Sequence, residues 1–160
     1  MKNLLRLVAA LALFSSLFAA DLSITTTSFV PGARADKRVG TAGASITIGQ
    51  LLYFDSTAGT YKLADANASA TTSAVVAIAG SAAASGQPVI VILEDDDLTL
   101  GATLSMSAPV YSVSGTAGGI APSADITTGW YPSAVIVAKS TTKCIFRPLA
   151  LRGTAVAVAP

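Results

Sequence analysis

From Asp21 onward the apolar residues come in short runs cut by Gly, Pro, Ser and Asp, and no stretch holds a 3.6-residue apolar period. That pattern predicts an all-β body. Leu22 to Val30 alternates in part, through Leu22, Ile24 and Phe29, and Pro31-Gly32 ends it as an extended arm. Ala33 to Arg38 sets Arg34, Lys37 and Arg38 around Asp36 and reads as an exposed basic loop. Ile46, Ile48, Leu51, Tyr53 and Phe54 form the next strand region, Asp55 to Thr60 a turn, and Tyr61 and Leu63 the return strand of a hairpin. Ala64 to Ala74 fits a loop or a short helix. Val75, Val76 and Ile78 follow, and then Pro88 to Leu93, a nearly pure β-branched run of the kind buried on both faces, which Glu94 to Asp97 stops as a solvated turn. Val110 to Val113, a flexible Gly-rich turn from Ser114 to Gly119, and Ile120 come next. Thr128 to Tyr131 opens a last hairpin with strands at Ala134 to Lys139 and Lys143 to Leu151. Turns at this density predict a β-sandwich or small β-barrel with an N-terminal extended arm. The regions are an apolar segment 1–20, an arm and basic loop 21–38, and a β-rich body 39–160.

An internal echo runs through the body. Ile46-Thr47-Ile48-Gly49 matches Leu98-Thr99-Leu100-Gly101, then Tyr53 matches Tyr111, Ala58-Gly59 matches Ala117-Gly118, and Ala64-Asp65 matches Ala124-Asp125. The order of four features is the same, so two related hairpin units are expected.

The first twenty residues leave two readings open. Lys2 and Arg6 precede an apolar run from Leu7 to Ala20, the form of a secretory signal peptide, although Phe18 or Leu17 stands where a small residue is wanted before the cut. The other reading is an arm that packs on a neighbouring subunit. A membrane anchor is disfavoured, since about 20 apolar residues are needed and Met1 to Ala20 reaches that only with two basic residues included.

Composition narrows the chemistry. The chain has 160 residues, one domain's worth, with 31 Ala, 17 Ser, 17 Thr and 13 Gly, and only 12% charged residues against roughly 25% ordinarily. A formal charge of +1 gives no basic surface for nucleic acid. There is no His and one Cys, which removes His-based acid/base chemistry, the usual zinc ligand sets and an intrachain disulfide. Adjacent carboxylates at Glu94 to Asp97 lack calcium-loop spacing. A Ser nucleophile would need Lys139 or Lys143 as its base beside Ser140, and no nucleophile-elbow pattern is present. Cys144 reads as a small buried hydrophobe. Asn67-Ala68-Ser69 is a glycosylation sequon of high chance frequency. No catalytic residue, cofactor, metal or small-molecule substrate is expected. The arm up to Val30 is expected to act as a strand that pairs with a neighbouring sheet edge, and its Leu22, Ile24, Thr26 and Phe29, with Trp130 and Tyr131, are the candidate interface residues.

Several segments carry a family resemblance: Ala20-Asp21-Leu22-Ser23-Ile24-Thr25, Gly40 to Thr47, Tyr61 to Asn67, Ala82 to Pro88, Leu98 to Leu104, Gly118 to Pro122 and Ala138 to Thr142. Together they resemble small tailed-phage proteins encoded near the major capsid protein and taken to be capsid decoration, or cement, proteins. The resemblance covers about Ala20 to Leu151. It implies a non-enzymatic protein on the virion capsid surface whose partners are the major capsid protein and its own copies, as a trimer. Two departures stand out: Met1 to Ala19 precede the family's usual start, and Glu94 to Asp97 is more acidic. The competing expectation is a secreted or periplasmic β-sandwich protein, structural or adhesive.

Overall fold

A computed structural model describes residues 21–148, and within them the chain forms nine antiparallel strands and two short 3-10 turns. The strands are β1 (Asp36–Thr41), β2 (Leu51–Asp55), β3 (Thr60–Leu63), β4 (Val75–Ala79), β5 (Pro88–Thr99), β6 (Val110–Val113), β7 (Ile120–Pro122), β8 (Ala134–Ala138) and β9 (Lys143–Phe146). The expected segment at 1–20 and the end of the last expected strand at 149–151 lie outside the described residues. The all-β expectation holds. The sheet runs β3-β2-β4-β5-β9-β8-β6-β7, with β1 on the other edge of β5, and curls in the manner of a half-barrel.

Strand β5 is the spine because it is twice the ordinary length and changes neighbours midway. Its first part pairs with β1 and β4, its last part with β9, and its register slips between Asp95 and Leu98. A bulge of this kind bends a strand so that one strand serves two sheets. The first half of the fold is thus β3-β2-β4-β5-β1, and the second is β7-β6-β8-β9 with the end of β5.

These halves repeat one another. Each is a hairpin (β2–β3, β6–β7) whose first strand also pairs with the fourth (β4, β8), followed by a fifth (β5, β9) paired with a strand from before the hairpin. The β2–β4 ladder slips after Leu52 and the β6–β8 ladder after Tyr111, so the two irregularities coincide as well. Gly59 and Gly118 close the matching hairpins, with φ of 67° and 78° that suit glycine. The tyrosine match is one place out, since Tyr111 aligns with Leu52 and Tyr53 with Ser112. Leu98 to Gly101 ends β5, whereas Ile46 to Gly49 lies between β1 and β2, so that pair does not occupy equivalent places.

Two cores follow. In the first half, Ala42 bridges to Tyr61 and the Gly43 N–H donates to the Tyr61 carbonyl, so β1 curls back to β3 around Ile46, Leu52, Ala77, Ala79, Val89 and Val91. Alanines on β4 fit so narrow an interior. The opposite face presents Leu51, Val75, Ile78 and Ile92 to Tyr111, Ile136, Cys144 and Phe146 of the second half. Val91 and Ile92 are both 0% exposed, so β5 is covered on both faces there, while Ile90 is 43% exposed and departs from that expectation.

Three local expectations change. Leu22 to Val30 is not a strand but an irregular strap with a 3-10 turn at Thr26–Ser28. Asp36 to Arg38 is not loop but the start of β1, held by β5 despite exposed side chains, so the 38/39 boundary falls inside a strand. The acidic run does not stop β5, which continues to Thr99.

Candidate functional site

The strap closes the second half where the first half closes on itself. Tyr61 and Ile120 hold corresponding places, and as Gly43 donates to the Tyr61 carbonyl, so Leu22 donates to that of Ile120. Thr25 N–H then donates to the Gly101 carbonyl, and Val30 and Thr99 exchange both backbone bonds. The Asp21 carboxylate accepts from the Ser114 hydroxyl at 2.6 Å. The Leu22, Thr25 and Val30 N–H groups, expected to reach a neighbouring sheet, are therefore used within the chain.

The candidate interface residues separate accordingly. Phe29 is 8% exposed and belongs to the core between the halves, so it offers no free surface. Leu22 and Ile24 are half-buried against the same core, and Thr26 is exposed on the strap's turn. Trp130 packs on that core too, its ring so close over Gly115 that a Cβ there would lie 2.4 Å from Cζ2. Tyr131 is half-buried and its N–H donates to the Ala66 carbonyl. The fold brings Leu22, Ile24, Phe29 and Trp130 to one core without making a single exposed patch of the six.

The Gly-rich turn is a seam, not a loose loop. Gly118 is buried, donates to the Ala64 carbonyl and accepts from Leu51 N–H, and Ala66 N–H donates to the Ser114 carbonyl, so it ties β2 and the segment after β3 to β6 and β7. The Asn67 amide donates to the Gly115 carbonyl across the same seam.

The acidic run supplies the densest electrostatics. Extended geometry and the bulge send its carboxylates in different directions. Asp96 forms a two-pronged pair with Arg147 at 3.0 and 3.1 Å. Asp97 binds Lys139 at 3.1 Å and also Lys143. Asp95 turns inward, 3% exposed, where Oδ2 accepts from Gly32 N–H at 2.7 Å and Oδ1 from Asp97 N–H at 2.9 Å. A cavity of about 330 Å³ lies beside the run, lined by Ala33, Arg34, Asp36 and Glu94 to Asp97. Among the described residues no three His, Cys, Asp or Glu side chains converge as a metal-ligand set.

The Lys–Ser candidates have other occupations. Lys139 and Lys143 direct their amines at Asp97, while the Ser140 hydroxyl accepts the N–H groups of Thr142 and Lys143 and caps the β8–β9 turn. Burial, and then the charge of Asp95, pushes the Cys144 thiol up to about 12, which keeps it protonated at neutral pH.

Hydrogen bonds from Lys143 and then Lys139 hold the Asp97 carboxyl below its ordinary value of 3.8, and Lys62, with the Ala58 N–H, does the same for Asp55. A depressed carboxylate pKa contributes stability that is present above the unfolded value and is lost as pH falls through the folded one. The melting temperature is therefore expected to hold down to about pH 5 and then fall through the acid range. In the Asp55→Asn/Asp97→Asn double variant that fall becomes shallower, and an unchanged acid limb would show that the pairs contribute nothing.

No family model matches the chain, and neither a curated protein nor a solved structure matches it.

Proposed function

We propose that the chain is a structural virion protein that binds the outside of an assembled phage capsid and stabilises the shell as a decoration protein. Its partners in this reading are the major capsid protein and its own copies, arranged as a trimer, with no cofactor, nucleic acid or small substrate.

What carries the reading is where the segments of family resemblance fall in the fold. Leu98 to Gly101 is the site at which the strap docks, Gly118 to Ile120 is the seam, and Tyr61 to Ala64 contains the strand on which β1 closes. Each has a defined structural task, as expected of segments that carry a fold. A rigid body of this kind suits a cement role. Binding the assembled shell and not its separated parts stabilises the shell by linkage, and many weak contacts placed by symmetry add through effective concentration.

The test is the intact mass of the native chain in purified particles. Full-length chain in particles is the expected result. A chain beginning near Asp21 and found only outside particles would overturn it in favour of an exported β protein, the reading that the Lys2, Arg6 and Leu7 to Ala20 pattern favours.

A further inference from the structure

We infer that the outer face of β6, β8 and β9 is the docking surface for a second copy of this chain, packed face to face about a two-fold axis near Val137. The inference comes from the internal repeat. In the first half, Leu51 stands beside Ile78 and Ile78 beside Ile92, and in the second half Val110 stands beside Val137 and Val137 beside Ile145. The two rows cross the same strands of the same topology at the same register. Leu51, Ile78 and Ile92 are each 0% exposed, because the second half of the chain covers them. Their counterparts are less covered: Val110 is 38% exposed, Val137 45%, and Ile145 is half-buried.

A solvated face of an antiparallel sheet ordinarily carries polar side chains. This one keeps β-branched residues on three adjacent strands, which is the pattern of a covered face. The row in the first half is covered within this chain by the apolar side chains of another set of strands, among them Tyr111, Ile136 and Phe146. The margin fits a like partner. Lys139, Lys143 and Arg147 alternate there with Asp96 and Asp97, so the border carries both signs around an apolar centre, and a symmetric copy does not meet a rim of one sign. The chain's net charge of +1 adds almost no long-range repulsion between copies. In an isologous contact the middle residue of the row faces its own copy, which makes Val137 the natural centre.

The test uses the full chain. Val137→Cys, oxidised in dilute solution, is expected to give a covalent dimer on a non-reducing gel, while Val39→Cys, at a side chain 74% exposed on β1, is expected to stay monomeric. The native Cys144 is 0% exposed and does not compete. Sedimentation velocity should show dimer in the wild type, and Val137→Asp should weaken the association at least tenfold with the melting temperature and circular dichroism unchanged. Val110→Lys serves if Val137→Asp misfolds. A wild type that stays monomeric overturns the proposal. If the introduced thiol at position 137 is then shielded from a thiol reagent, another part of the chain covers the row, and if it reacts freely, the row is left to a different partner. Dimer that survives both Val137→Asp and Val110→Lys overturns it equally. The proposal does not rest on capsid binding: particles that retain the Val137→Asp variant leave binding to the shell standing whichever way the dimer test falls, while a wild-type dimer replaces the trimer of the decoration reading with a two-fold pair.

Discussion

Phe29→Ala is expected to lower the unfolding free energy by about 3 to 5 kcal/mol, the range for truncating a buried phenylalanine. The ring is 8% exposed in the core that joins the two halves, together with Leu98, Leu100 and Phe146. Its removal empties a site that the strap cannot refill, because the backbone on either side is already fixed. Thr25 is bonded to Gly101 and Val30 is bonded twice to Thr99. The approach at Gly101 is tight as well, since a Cβ there would sit 2.6 Å from the Thr25 carbonyl oxygen. The same geometry bears on truncation. Removing 1–30 takes away Phe29, the backbone bonds of the strap and the Asp21–Ser114 contact, so the body should lose cooperative unfolding, whereas removing 1–20 leaves all of these in place. Urea denaturation followed by far-ultraviolet circular dichroism reads both. A cost under about 1 kcal/mol for Phe29→Ala would place the strap outside the cooperative unit, since buried large-to-small changes do not come so cheaply.

The strap also shows why only part of the fold was legible in the sequence. The alternation of Leu22, Ile24 and Phe29 reads as a strand, and the burial it implies is real. What the pattern cannot carry is that these residues fill the gap in a half-barrel, where a 3-10 turn at Thr26–Ser28 suits the spacing better than a ladder. Hairpins were easier, because Asp55 to Thr60 and the residues around it encode their own turn. β1 was hidden for the opposite reason. Its side chains are nearly all exposed, so no apolar period marks it, and it exists because β5 offers an edge with matching register. The internal echo was legible in its order of features but not in its register, since turn glycines recur wherever a hairpin closes and tyrosines drift by one position at a bulge. The apolar face of β6, β8 and β9 needed the structure outright. Val110, Val137 and Ile145 lie in three separate strands, and nothing in the sequence tells which face of each points away from the core.

Asp95→Ala is expected to cost about 1 to 3 kcal/mol, most of it from leaving two part-buried backbone donors without an acceptor. The pattern Glu94-Asp95-Asp96-Asp97 treats the four acids alike, yet the bulge in β5 separates them. Asp96 and Asp97 lie at the surface with basic partners, while Asp95 is 3% exposed and each of its oxygens accepts one backbone N–H, from Gly32 and from Asp97. Those two bonds fix the point where the strap passes into β1 and the point where β5 changes partners. Gly32 is required at the first, since a Cβ there would lie 2.5 Å from the Asp95 carboxylate. Asp95→Asn keeps the shape and one acceptor oxygen, so it should recover roughly half of the loss, as expected when one of two hydrogen bonds survives. Asp96→Ala removes an exposed pair and should cost much less, because solvent and salt screen such pairs. Chemical denaturation of the three variants gives the ranking, and amide hydrogen exchange should quicken at Gly32 and Asp97 in Asp95→Ala alone. Equal costs for Asp95→Ala and Asp96→Ala would mean that the carboxylate is an ordinary solvated acid and that the junction is held by the strand pairings themselves.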